Sequence, residues 1–209
     1  MPSRLPADPR RIFLDAVPVS RETELRLEHY EKLIIERNQT LSLISHTTEP
    51  DIWVRHFLDS AQLMKLIPDH GAALADVGTG AGFPGLVLAI LGLPHVHLVE
   101  HNIQKVEFLR RVVDELDLPV TIHPMKSEAV RAFPVGVLTA RALKPLDQLI
   151  GLGRRLIGPD TACVFPKGRR AEEELQTARR RWRMTVERFP SATDPDSTIF
   201  RLTNVIEAT

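Results

Sequence analysis

The sequence predicts a doubly wound α/β sheet, preceded by a helical extension and closed by an antiparallel strand pair. Three observations carry this. From residue 72 onward, short apolar runs of strand length alternate with helix-period segments, as a parallel sheet covered on both faces requires. One of these runs ends in a glycine cluster, Gly78-Thr79-Gly80-Ala81-Gly82, ahead of an apolar helix-like stretch. The C-terminal end instead holds two strand-like runs joined by a turn-rich link.

Taken in order, the chain up to about Pro68 reads as helical. Ser20 suits a helix N-cap, and Glu22 and Glu24 follow in the first turn, where the helix dipole favours acids. Leu27, Tyr30 and Ile34 recur at helical spacing. A second helix is expected near Thr48-Glu49-Pro50, with Pro50 in its first turn and Ile52, Trp53, Phe57 and Leu63 on its apolar face. The boundary falls at 68–71. Residues 1–70 then form a helical extension and 71–209 the core, as one compact unit. Strands are predicted at 72–77, 96–100, 120–123, 135–140 and 161–165, with a helix over 104–116. Strands at 184–189 and 197–205 form the closing pair around a turn at 190–196.

Composition narrows the class. The chain has 209 residues, 43% of them hydrophobic, enough to bury a sizeable core. Lys and Arg number 27, as do Asp and Glu, a balance that argues against indiscriminate polyanion binding. Residues 151–190 nevertheless hold ten Lys/Arg against five Asp/Glu. This basic third either meets phosphates or forms a solvated arginine-rich face. A single cysteine, Cys163, excludes an internal disulfide framework. No apolar run suits a signal peptide or a bilayer span, so a cytoplasmic protein with no membrane partner is expected.

The glycine cluster is the strongest chemical signal. A strand that ends in Gly-x-Gly-x-Gly and leads into a helix turns tightly and lets a ligand approach bare backbone. The segment from Gly80 to Gly85 also satisfies the dinucleotide pattern G-x-G-x-x-G, which is weak support alone. A nicotinamide dinucleotide is therefore weighed against S-adenosylmethionine. Asp76, two residues before Gly78, favours the latter: a carboxylate there opposes a pyrophosphate and suits the ammonium of S-adenosylmethionine. Glu100 ends the next strand, where a carboxylate can accept ribose hydroxyls of either cofactor. A ligand-free structural turn is the third reading, opposed by the concentration of glycines between positions 76 and 92.

The run from Asp76 to Gly85 resembles the motif of the RsmG (GidB) family, bacterial 16S ribosomal RNA guanine-N7 methyltransferases. Arg55-His56-Phe57-Leu58-Asp59-Ser60 resembles the family's helix motif. Thr139-Ala140-Arg141-Ala142 resembles its strand end, and Lys167-Gly168 the pair after its fifth strand. The similarity runs from about Tyr30 to the C-terminus. It implies a Rossmann-like class I methyltransferase sheet, S-adenosylmethionine as cofactor, and 16S rRNA or the small ribosomal subunit as partner. By that resemblance Gly78 and Phe83 line the cofactor, Ser127-Glu128-Ala129 lies along the adenine, and Arg141 borders both cofactor and target base. Asp76, Thr79, Gly80, Gly82 and Glu100 complete the candidate cofactor set; Lys167, Arg55 and His56 form the candidate substrate set. Departures from the family pattern bear on RNA contact: Arg37 stands before Asn38 in place of a frequent tryptophan, Lys126 in place of an arginine, and Ser197 or Thr198 in place of a basic residue.

Other residues carry plainer readings. His95 and His97 alternate on one strand face without further ligand partners, so no metal is expected. Cys163 lies in an apolar strand and reads as core packing. His56 and Asp59, three apart on one helix face, read as a structural pair, with an active-site wall as the alternative. Arg141 and Lys167 follow strands at their carboxyl ends, where open α/β sheets bind ligands. Arg141 is expected to position substrate, with no general base. Aspartate at Gly82 is expected to abolish cofactor binding while the protein stays folded. Two other functions stay open: an NAD-dependent oxidoreductase, opposed by Asp76, and a non-catalytic RNA-binding ribosome assembly factor, opposed by the intact glycine loop. The sequence does not fix an oligomeric state; a monomer is favoured.

Overall fold

The computed structural model describes residues 8–141 and 144–208; Ala142, the last residue of the strand-end motif, lies outside them. Helix α1 (Pro9–Ala16) begins where Asp8 accepts a hydrogen bond from the Arg10 N–H and Pro9 fills the first turn. Helix α2 (Arg21–Asn38) is capped by Ser20, whose Oγ accepts from the Thr23 N–H at 3.1 Å. Its Leu27, Tyr30, Leu33 and Ile34 are buried. Asn38 ends it by folding the next turn, donating to Ile44 O and accepting from the N–H groups of Leu43 and Ile44.

The second predicted helix is helical but mostly not α. After a 3-10 turn at His46–Thr48, the chain winds as a π-helix over Trp53–Leu58, then as a short α-turn, α3 (Asp59–Ala61), and a 3-10 turn, Gln62–Leu66. The predicted apolar face is kept: Ile52, Trp53, Phe57 and Leu63 are all buried. Trp53, Phe57 and Leu58 of the π-turn are all buried.

Seven strands follow: β1 (Leu74–Val77), β2 (Val96–Val99), β3 (Val120–His123), β4 (Val137–Thr139), β5 (Ala162–Lys167), β6 (Trp182–Pro190) and β7 (Thr198–Glu207). They form one sheet in the order β3-β2-β1-β4-β5-β7-β6. The first five are parallel, and β7 lies antiparallel between β5 and β6. The predicted closing pair is present and longer than its apolar runs suggested. Helices α4 (Gly85–Ile90), α5 (Ile103–Glu115), α6 (Leu146–Gly153) and α7 (Ala171–Ala178) connect the strands.

Each face of the sheet has its own core. On one, Phe13, Tyr30 and Phe57 of the N-terminal segment pack with Leu86, Leu98 and Phe108. On the other, Leu138, Leu149, Phe165, Leu175 and Phe200 pack together, with Cys163 fully buried among them. Burial pushes the Cys163 thiol up to about 12, as an inert core residue requires. His97, expected on a strand face, is half-buried with its Nδ1 3.2 Å from His123 Nε2. No described helix is long and apolar enough to cross a membrane. Strand order reverses between β1 and β4, and in such sheets ligands bind in the crevice at the carboxyl ends of these two strands.

Candidate active site

The glycine loop leaves β1 at this crevice. Gly78 donates its N–H to Val99 O at 2.8 Å, and the N–H groups of Gly82 and Phe83 return to Thr79 O. Asp76 organises the turn. It is fully buried, and its Oδ2 accepts from the Gly85 N–H at 2.9 Å and from the Thr79 hydroxyl. Its Oδ1 is buried, with no hydrogen-bond partner among the described residues. Burial pushes the Asp76 carboxyl up to about 7, although Thr79, Gly85 and Arg141 all pull it down. A residue that the sequence marks as facing a ligand thus builds the loop as well.

The glycines do different work. Gly78 and Gly80 have φ of +69° and +62°, and a Cβ on either would meet nothing within 4 Å among the described residues. Gly82, with φ of +106°, turns its bare side inward: a Cβ there would lie 2.3 Å from Leu86 Cδ1 and 2.7 Å from Tyr30 Oη. That corrects the expectation for aspartate at Gly82. The added side chain meets packed protein, so folding suffers before any ligand is displaced. Sequence reasoning also missed Tyr30, which it placed only as a core residue. Its hydroxyl donates to Ala81 O at 2.6 Å, and its ring stacks on Phe57 at 5.6 Å, so α2 clamps the loop from behind.

Glu100 is buried just past β2. Its Oε1 accepts from the N–H groups of His101 and Asn102, both at 2.8 Å, and its Oε2 from the Gly80 N–H at 3.1 Å. A carboxylate has about four lone-pair directions, so acceptor capacity remains. Ser127–Ala129 forms a 3-10 turn after β3, with Glu128 and Ala129 exposed.

Arg141 leaves the end of β4, across the crevice from the glycine loop. Its Nη1 donates to Arg55 O at 3.2 Å and approaches Asp59 Oδ2 at 3.4 Å; its Nη2 donates to His56 Nδ1 at 2.5 Å. Its Cζ sits 4.5 Å above the Phe83 ring, and His56 stacks on the same ring at 5.0 Å. Desolvation lowers the Arg141 pKa, with Asp59 opposing. His56 and Asp59, read from the sequence as a structural pair or as an active-site wall, both hold Arg141. Asp59 Oδ1 also accepts from Thr193 Oγ1 at 2.8 Å and from Gln62 at 3.0 Å, which ties in the turn between β6 and β7.

Beyond Arg141 the crevice opens into a cleft of about 560 Å³, lined by Arg55, Lys167, Arg170, Thr193 and Ser197 among others. Lys167 is buried. Its Nζ donates to Lys144 O and pairs with Glu174 Oε2, both at 2.7 Å, while Glu174 also accepts the Leu146 N–H. Its ammonium is therefore committed to holding the start of α6. Arg55 is exposed, and among the described residues its guanidinium makes no ion pair. Much of the basic third is paired on the surface: Arg154 and Arg181 with Glu207, Arg169 with Asp196, Arg170 with Glu173, and Arg188 with Glu172.

A parallel sheet with an antiparallel β7 and a glycine-bounded crevice at its switch point defines the Rossmann-like class I methyltransferase fold. The same fold occurs in the glycopeptide N-methyltransferase MtfA complexed with sinefungin (TM-score 0.60, 10% identity, 71% of this chain and 93% of that one). It occurs too in a mutant of MtNAS in complex with S-adenosylmethionine (TM-score 0.58, 17% identity, 96% of this chain and 76% of that one). The family model described as rRNA small subunit methyltransferase G, GidB, matches residues 23–199. The chain is 47% identical over 205 residues to the ribosomal RNA small subunit methyltransferase G of Rhodospirillum centenum, covering 97% of this chain and 95% of that one. It is 43% identical over 196 residues to that of Rhodospirillum rubrum, covering 94% and 98%. The chain belongs to the rRNA small subunit methyltransferase G family.

Proposed function

We propose that the protein transfers a methyl group from S-adenosylmethionine to N7 of a guanosine in 16S ribosomal RNA. The observation that carries this is Arg141, caged between the glycine loop and the polar cleft in a chain of this family. The residues present fit the cofactor. Gly78 and Gly80 leave open space where side chains would stand. Glu100 keeps acceptor capacity suited to ribose hydroxyls, and Asp76 has an unpartnered buried oxygen, the kind of group that a cationic amino-acid tail calls for. Thr79, Gly82 and Phe83 are turned toward protein and serve the cradle by shaping its backbone, while the turn at Ser127, Glu128 and Ala129, exposed at its last two residues, suits the adenine edge.

When bound, S-adenosylmethionine supplies an already activated methyl group. Guanine N7 has an in-plane lone pair and no proton at neutral pH, so no residue must accept one. That suits the side chains around the crevice. His56 is held neutral with both ring nitrogens engaged, and Asp59 is occupied by Arg141, Thr193 and Gln62. The chain's contribution is alignment, with Arg141 fixing the target base and Arg55 meeting backbone phosphate. Mass spectrometry of 16S rRNA from cells with and without the gene tests the proposal. Loss of one 7-methylguanosine is expected; identical modification in both strains would end it.

A further inference from the structure

The side chains that hold Arg141 are not equivalent. A guanidinium can only donate, so the contact from Arg141 Nη2 requires a bare lone pair on His56 Nδ1. The ring proton then sits on Nε2, which lies 2.9 Å from Thr48 Oγ1. That hydroxyl in turn donates to Ser45 O at 2.8 Å, leaving its oxygen free to accept from His56. Only one direction of donation satisfies the series from Arg141 through His56 and Thr48 to Ser45.

We infer that His56 is a positioning residue for methyl transfer: as a neutral acceptor at Nδ1, oriented by Thr48 at Nε2, it fixes the guanidinium of Arg141 over Phe83. The inference rests on the reading that Arg141 acts in the reaction. Its geometry is independent of that reading. His56 stacks on Phe83 with an interplanar angle of 23°, so ring and guanidinium share one aromatic platform. The charged groups facing His56 are Arg141 and Arg55, both cationic, and with burial they push the imidazole down to about 3. Asp59 meets the other terminal nitrogen of Arg141, Nη1, and holds that guanidinium. A proton on Nδ1 would set two donors against each other and release Arg141 from one of its anchors.

The two ring nitrogens can be imitated separately. In His56→Asn the amide oxygen takes the place of Nδ1; in His56→Gln the amide reaches the place of Nε2. The full-length protein is assayed by single-turnover methylation of 16S rRNA and by calorimetric titration with S-adenosylmethionine. His56→Asn is expected to stay within about threefold of the wild-type rate, whereas His56→Gln and His56→Ala lose about tenfold or more, as expected for one charge-assisted hydrogen bond. Cofactor affinity should be similar in all three. Nitrogen-15 NMR of the wild-type imidazole reports the tautomer without any substitution. A neutral ring protonated at Nε2 from about pH 5 to 8 supports the inference, because the ordinary value of about 6.5 falls inside that window. A ring that titrates near the ordinary value, or Asn no better than Gln in folded variants, would overturn it. Wild-type rates in Arg141→Gln would overturn the role of Arg141 itself, a result distinguishable because the tautomer would be unchanged.

Discussion

Replacing Gly82 with alanine separates the two jobs of the glycine loop. A Cβ there falls 2.3 Å from Leu86 Cδ1, 2.8 Å from Leu86 Cγ and 2.7 Å from Tyr30 Oη. Both neighbours are fully buried, so neither can swing into solvent. Forcing a side chain into φ of +106° costs about 1–3 kcal/mol, overpacking about 1–3 more, and displacing the Tyr30 hydroxyl from Ala81 O about 1. The total, about 3–7 kcal/mol, is a large share of what holds a typical domain together. For a chain of this size it lowers the melting temperature by roughly 6–28 °C. Gly78→Ala is the control: φ is +69°, no atom lies within 4 Å of the new Cβ, and only the backbone cost of about 1–2 kcal/mol applies. Scanning calorimetry without ligand, followed by titration with S-adenosylmethionine, reads both effects. Gly82→Ala should melt far earlier, and Gly78→Ala should melt nearly normally yet bind cofactor poorly. A Gly82→Ala melting point within about 3 °C of wild type, or wild-type affinity in Gly78→Ala, would refute the division.

The remaining expectations follow from single contacts. Because the Asp76 pKa is raised to about 7 in the folded protein, the folded state holds a proton that the unfolded state loses above about pH 4. Ligand-free stability should therefore fall between those two values as pH rises, and Asp76→Asn should flatten that slope in denaturant titrations; a parallel pH profile would disprove it. Tyr30→Phe leaves Ala81 O without its donor and should cost about 1–2 kcal/mol while weakening cofactor affinity, checked by urea unfolding and calorimetry. Lys167→Ala should chiefly destabilise, by about 2 kcal/mol, because Glu174 loses its partner, whereas Arg55→Ala should keep stability and reduce the salt slope of RNA binding by about one. An unchanged melting point with a reduced salt slope in Lys167→Ala would return that lysine to the RNA interface. At saturating RNA and cofactor, where the bound ammonium keeps Asp76 ionised, single-turnover methylation should be flat from roughly pH 6.5 to 9, since N7 needs no base and His56 titrates only near 3. A tenfold rise per pH unit would point to an exocyclic amine or hydroxyl acceptor.

What the sequence discloses here is what short-range patterns encode. Ser20 with Glu22 and Glu24 marks the start of α2, and the spacing of Leu27, Tyr30 and Ile34 marks its buried face. The apolar run before Gly78, and the next one ending at Glu100, mark β1 and β2. What it hides depends on contacts between distant segments. Nothing near Tyr30 says that its hydroxyl will meet a carbonyl 51 positions away. The three-residue spacing of His56 and Asp59 implies mutual pairing on an α-helix, but both meet Arg141, more than eighty positions on. Lys167 carries the charge expected of a phosphate contact, and only Glu174, one turn into α7, reveals its commitment to the protein.

The antiparallel insertion of β7 has a practical outcome. A parallel partner for β5 would need a crossover, and its connection would reach the reactive edge only as the start of a helix. Because β7 runs backwards, the hairpin between Pro190 and Thr198 opens at the carboxyl edge, beside Lys167. Its tip is fastened through Thr193 to Asp59 and through Ala192 to Gln62. The glycine loop, Glu100 and the turn at 127–129 follow β1, β2 and β3, in the other half of the sheet. The 194–197 tip can therefore be exchanged for other sequences, with its two fastenings left in place and the loops after β1, β2 and β3 undisturbed.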